Sequence, residues 1–203
     1  MNTIEYLKER FDQIRSENGH TVLSTVRRDA MNDFTKLGIP TVKNEEWKYT
    51  RISSLFNKEY AYPVASAIPS LLAAQIDAVR LPGHADANEL VFINGIFSIT
   101  HSKFISPELS VQSLEDASKN EFRDIVTKYL GHSNQYLKDG IVALNTALVY
   151  GGVFIHIKKG KITEHPVYIY NITDTQSSNM LSQPRSLVYI SEFGKFRAVL
   201  GAS

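Results

Sequence analysis

Gly152-Val153-Phe154-Ile155-His156-Ile157-Lys158-Lys159-Gly160, followed by Glu164-His165-Pro166-Val167-Tyr168-Ile169-Tyr170, is the stretch whose reading decides the fold. Val153, Ile155 and Ile157 alternate with Phe154 and His156, and Val167 and Ile169 alternate with Tyr168 and Tyr170. A period of two sends successive side chains to opposite faces of an extended chain, so each run reads as a short strand with one β-branched face. Lys159-Gly160-Lys161 reads as a turn beside the first strand. Val188 and Ile190 repeat the theme, then Phe196, Ala198 and Leu200, with Phe193-Gly194-Lys195 as a further turn. Short strands without a strict repeat fit either a β-sandwich or a parallel β-solenoid, and the pattern leaves both open. From about Ile141 onward no long helical pattern is expected.

Upstream, the period changes. Leu90-Val91-Phe92-Ile93 and Ile96-Phe97-Ser98-Ile99 flank Asn94-Gly95, a dipeptide that tolerates positive φ at both turn positions, which predicts a tight hairpin. Ser113-Leu114-Glu115-Asp116 resembles a capping box and opens a helix with the stripe Phe122, Ile125, Val126, Tyr129 and Leu130, ended by Gly131. Nearer the N-terminus, Ile4, Leu7, Phe11 and Ile14 share one face of a helix capped by Asn2 or Thr3 and stopped at Asn18-Gly19. Leu23, Val26, Ala30, Phe34 and Leu37 mark a second, closed by Gly38 and barred from continuing by Pro40. Between Thr41 and Tyr62 lie Trp47, Tyr49, Phe56, Tyr60 and Tyr62; Ser66–Pro69 reads as a linker before a short apolar helix through Leu71, Leu72, Ile76 and Val79. The expected organisation is α+β, with a helical region over 1–85, a hairpin and helix over 86–140, and the β-rich part over 141–203.

The 203 residues suffice for a sizeable core, and 22 Lys plus Arg against 21 Asp plus Glu leave a formal charge of +1. Such a mixed, near-neutral chain offers no general electrostatic pull toward nucleic acid or anionic lipid, so neither is an expected partner. The absence of cysteine excludes disulfides, thiolate catalysis and thiolate metal sites within these residues, and fits a reducing compartment. Met1–Tyr6 has neither a basic head nor an apolar run, and no apolar stretch approaches membrane-spanning length, so a cytoplasmic protein is expected.

Phosphate loops, dinucleotide fingerprints, nucleophile elbows and zinc-helix motifs are all missing, and Gly151-Gly152 lacks the Lys-Ser/Thr a P-loop needs. His156 with His165, and His84 with Asp86, are incomplete as metal sites and read as strand and turn residues. Lys158-Lys159-Gly160-Lys161 reads as a solvated basic turn, and the adjacent Glu45-Glu46, whose side chains diverge, as surface or capping residues. No catalytic, metal-binding or cofactor-binding residue is therefore expected. If Val153, Ile155, Val167 and Ile169 face the core, then Phe154, Tyr168 and Tyr170 form a stripe on the other side, either an interaction surface or a face covered by the N-terminal helices.

Three groups of residues carry a resemblance. The first runs Arg27-Arg28-Asp29-Ala30 to Phe34, then Leu37-Gly38-Ile39-Pro40-Thr41, then Glu45-Glu46-Trp47-Lys48-Tyr49-Thr50. The second is Leu90 to Phe97; the third comprises Leu144-Asn145-Thr146-Ala147, Gly152–Gly160, Glu164–Val167 and Pro184-Arg185-Ser186-Leu187-Val188. Together, and in this order, they resemble the SufB/SufD family, and the first group favours its SufD branch; Tyr150-Gly151 departs from the pattern where an acidic residue before Gly is common. The resemblance implies an N-terminal helical domain followed by the first rungs of a right-handed parallel β-helix, truncated here. It also implies a non-enzymatic scaffold subunit of iron–sulfur cluster assembly, partnered by a SufB-like paralogue and a SufC-like ATPase. Family members are longer, so the cluster-handling residues are expected beyond Ser203, and the assembled complex rather than this chain is expected to handle the cluster. Within this frame the N-terminal helices are expected to pack on or beside the β-helix, with Trp47 and Tyr49 as anchors in that packing. The edge near Phe196–Leu200, left open, is expected to promote homodimerisation or aggregation. A carbohydrate-binding β-helix and a self-associating structural module are the competing expectations.

Overall fold

The computed structural model describes residues 3–18, 21–58, 60–63, 72–132, 138–173, 179–196 and 198–202. The expected cap Asn2, the stop Gly19, the linker Ser66–Pro69 and Leu71 lie outside the described residues. The chain divides into two units, each built from two separate stretches: Met1–Glu59 with Glu115–Val149, and Tyr60–Leu114 with Tyr150–Ser203. The division is not the succession of three contiguous parts expected from sequence, because residues distant along the chain pack together.

The first unit is helical. α1 (Thr3–Asn18) and α2 (Val22–Leu37) follow the expected stripes: Leu7, Phe11 and Ile14 are buried on α1, and Leu23, Ala30 and Phe34 on α2, while Leu37 is exposed. Gly38 ends α2, its N–H donating to the Phe34 carbonyl at 2.7 Å. The single helix expected after Ser113 is two, α4 (Leu114–Ala117) and α5 (Arg123–Tyr129). α3 (Leu72–Ala78) belongs to the second unit. α6 (Gly140–Ala147) corrects the expectation that no helix follows Ile141. Its Gly-Ile-Val-Ala-Leu-Asn-Thr-Ala sequence is buried on several sides, so no polar face exists to reveal a helical period.

α6 is the hub of this unit. Asp139 caps it, one carboxylate oxygen accepting from the Ile141 and Val142 N–H groups at 2.7 and 3.1 Å. The other oxygen accepts from the Trp47 indole at 2.6 Å. Beside the cap, any Cβ at Gly140 would overlap the Gly38 carbonyl oxygen, so only glycine admits the backbone of the α2 exit. Gly38 and Trp47 thus meet at one helix end. A second tie is ionic: Arg27, 2% exposed, pairs with Glu115 at 2.8 Å and donates from Nε to the Val149 carbonyl at 3.0 Å. A buried guanidinium is tolerable only with such partners.

Among the described residues the second unit holds α3 (Leu72–Ala78) and seven strands: β1 (Asn88–Ile93), β2 (Ile96–Lys103), β3 (Leu109–Ser113), β4 (Val153–Ile157), β5 (Val167–Ile172), β6 (Ser186–Ile190) and β7 (Ala198–Ala202). β1 and β2 form the expected hairpin, with φ of 52° at Asn94 and 82° at Gly95. The strands form two sheets, ordered β2-β1-β5-β7 and β3-β4-β6. Only the β1–β2 and β3–β4 pairings are antiparallel; β1–β5, β5–β7 and β4–β6 are parallel. From β4 onward the chain alternates between the sheets, and each strand lies beside the one two ahead: Val153 beside Ser186, Val167 beside Ala198. The turn residue Ile162 likewise bridges to Lys195. Leu90, Phe92, Val167 and Ile169 from one sheet and Val153 and Ile155 from the other make one buried cluster. On the other side of the first sheet, Val91, Ile93 and Tyr170 pack with Ile76 of α3.

Two predictions follow from the helical unit. Trp47→Phe loses a hydrogen bond to a charged acceptor and lowers stability by about 1–2 kcal/mol, whereas Asp139→Ala also loses the cap and costs roughly 1 kcal/mol more. Denaturant titrations check this, and equal losses contradict it. For the buried ion pair, Arg27→Ala costs about 3–5 kcal/mol, and Glu115→Ala added to that background costs much less than it does alone. A double-mutant cycle with no coupling contradicts the pairing.

Candidate functional site

The aromatic residues singled out from sequence are dispersed. Trp47 is half-buried on the Asp139 carboxylate, whereas Tyr49 is 90% exposed, with the Lys48 ammonium over its ring at 5.6 Å, and packs against no core. Tyr49 is thus no packing anchor. Phe154 is fully buried and Tyr170 nearly so, so the supposed outward stripe is not an exposed face. Tyr168 is partly covered and donates from its hydroxyl to the Pro82 carbonyl at 3.1 Å. Tyr170 sits in the α3-side cluster and its hydroxyl accepts from the Leu81 N–H at 3.2 Å. Burial pushes the Tyr170 phenol above its ordinary range, a rise the Leu81 bond partly offsets. For Tyr168 and Tyr170 the covering elements include α3 and the segment after it.

The polar groups weighed as chemistry are engaged locally. His156 lies 2.9 Å from the Ser191 hydroxyl and stacks between Phe154 and Tyr189. His165 instead contacts the Asp86 carbonyl at 2.9 Å, so the two histidines do not share a site. His84 lies 3.7 Å from Glu89, which is 1% exposed and paired with Arg80 at 2.7 Å. This buried carboxylate on β1 was not anticipated; the strand pattern Asn88-Glu89-Leu90 held no sign that it points inward. Lys159 pairs with Glu192 of the adjoining turn, and Glu45 and Glu46 are exposed in a short 3₁₀ turn (Glu45–Trp47). Among the described residues, no group of three or more His, Asp or Glu is placed to hold a metal ion, and no helix is long and apolar enough to cross a membrane.

The most distinctive surface lies at the edge of the β3-β4-β6 sheet. Ile155 and Ile157 of β4 are fully buried, and their partners on β6 are Val188 and Ile190. Those partners are 38% and 43% exposed, so the apolar row continues onto β6 but is not covered there. β6 has β4 on one side and no strand on the other among the described residues, and β7 ends its own sheet in the same way. Next to this edge, Phe193 is 78% exposed at a turn position with φ of 60°. A strand edge with unpaired peptide groups beside exposed apolar side chains can add another strand. Sequence pattern located the strands but not their exposure, because burial of Val188 depends on which strand lies beyond it.

Comparison with known proteins adds a second line. The family model for the SufBD protein N-terminal region matches residues 2–169. An iron–sulfur cluster assembly SufBD family protein of Synechocystis is 26% identical over 172 residues, covering 84% of this chain and 37% of that protein. The iron–sulfur cluster assembly protein SufD of Escherichia coli is 26% identical over 148 residues, 70% of this chain and 30% of its own length. The chain thus spans well under half the length of these curated relatives. With the family match running through both units and into β5, the chain belongs to the SufBD family, as its N-terminal region.

Proposed function

We propose that the chain is the front part of a SufD-type scaffold subunit in iron–sulfur cluster assembly, acting in the cytoplasm through protein contacts rather than catalysis. The observation that carries this reading is the family match over residues 2–169, supported by two relatives whose names place them in cluster assembly. In this reading a SufB-like paralogue and a SufC-like ATPase are the partners, and iron and sulfide are cargo of the assembled complex, with no ligand residue supplied by this chain. β4 to β7 are the first rungs of a right-handed parallel β-helix; the parallel pairing of β4 with β6 and of β5 with β7 supports this. Tagged full-length protein expressed from its native locus should co-purify with the SufB-like and SufC-like proteins, identified by mass. Recovery of this protein alone overturns the partner assignment.

The exposed Val188–Ile190 row favours a second reading, self-association through the β6 edge. Light scattering should show the isolated chain growing in mass with concentration. Val188→Asp with Ile190→Asp should hold it monomeric, because a charge on each apolar position opposes burial. A parent chain that stays monomeric throughout contradicts self-association while leaving the family assignment untouched.

A further inference from the structure

The first unit carries a concavity that the scaffold reading does not use. It has a volume of about 590 Å³, and its wall includes Arg15, Arg28, Lys119 and Arg123 but, among the described residues, no carboxylate. Arg15 and Arg28 have carboxylate neighbours outside the wall, Asp12 at 3.6 Å and Asp29 at 3.3 Å, in exposed pairs that solvent screens. The side chains of Lys119 and Arg123 have no ion-pair partner among the described residues. In a chain of formal charge +1, four cations around one hollow is a local excess whose mutual repulsion an anion would relieve.

The hydroxyls point the same way. Thr21, Ser24 and Ser118 also line the hollow. Thr21 is the N-cap of α2, a 16-residue helix whose positive end therefore borders the cavity. The backbone N–H of Thr21 donates to the Ser24 hydroxyl at 3.1 Å in a capping box, and the buried Thr21 hydroxyl has no acceptor for its own proton among the described residues. A buried hydroxyl proton with no acceptor costs free energy, which a bound acceptor would recover. Among the described residues the wall holds one apolar residue, Val22, and no aromatic one, so none of them favours a base or an acyl chain. We infer that this hollow, formed by the start of α2, the end of α1 and the α4–α5 segment, binds a small multiply charged phosphate anion of pyrophosphate size or slightly larger. Guanidinium and ammonium groups would meet phosphate oxygens in charge-assisted bonds, with the Thr21 hydroxyl donating a further one.

The test uses the 203-residue chain and inorganic pyrophosphate. Titration followed by amide NMR should give saturable shifts at Thr21, Ser24 and Ser118, with orthophosphate binding more weakly and added salt weakening both. Calorimetry should show Lys119→Gln and Arg123→Gln each weakening pyrophosphate binding by about fivefold to tenfold, since each removes one charge-assisted contact. Lys8→Gln, a surface change on α1 outside the wall, should leave affinity unchanged. Absence of saturable shifts, or unchanged affinity in the Lys119→Gln/Arg123→Gln double variant, overturns the inference. So does saturable binding of a polyglutamate peptide with no response to pyrophosphate, which would reassign the hollow to an acidic protein segment.

Discussion

Parallel stacking is the constraint on which the strand-rich unit depends. A strand that pairs in parallel cannot turn straight back; the chain must travel to the other sheet and return before it can lie beside itself. β4, β5, β6 and β7 meet that requirement by alternating between two sheets, so that Ile155 comes to lie beside Val188 and Ile169 beside Leu200. The inner row is thereby built one layer at a time, and each layer depends on the next for cover. β4 has that cover from β3 and β6 on either side, and its Val153, Ile155 and Ile157 are fully buried. Among the described residues β6 has it on one side only, and its equivalent side chains are exposed. The hairpin β1–β2 and strand β3, both antiparallel, occupy the opposite ends of the two sheets.

The helical unit solves a different problem, that of joining segments far apart in sequence. Glu115–Val149 returns to Met1–Glu59 across an intervening stretch that belongs elsewhere. Three polar or steric devices fix the return: the Arg27–Glu115 pair, the Trp47–Asp139 hydrogen bond, and the glycine at 140 that lets the α2 exit approach α6. Each is directional, which a purely apolar helix such as α6 could not be. The sequence motif around Gly38 and Trp47 acquires a physical meaning here, since both residues act on one helix end.

Much of the fold was legible where local chemistry is strong. Asn94-Gly95 forces its hairpin, the stripes of α1 and α2 stand out at helical spacing, and the alternation in β4 and β5 is plain. α6 was hidden because burial on several sides erases the contrast between faces, although Asp139 stood at its start as a capping signal. The two-unit division was hidden because it rests on long-range pairing. The site was harder still. Phe154 and Tyr170 alternate with core residues and so read as outward, yet both are buried. Tyr49 shares a motif with Trp47, but only Trp47 has a buried-side partner. What marks Val188 and Ile190 is that no described strand lies beyond β6, and a long-range neighbour leaves no trace in local sequence.

The central physical claim is that the layered core is covered at β4 and open at β6. Amide hydrogen exchange on the dilute monomeric chain tests it most directly. The account predicts that β6 and β7 amides exchange at least about tenfold faster than those of β4 and β5, because opening an edge layer exposes less apolar surface than opening an inner one. Equal, high protection across all four strands would contradict it.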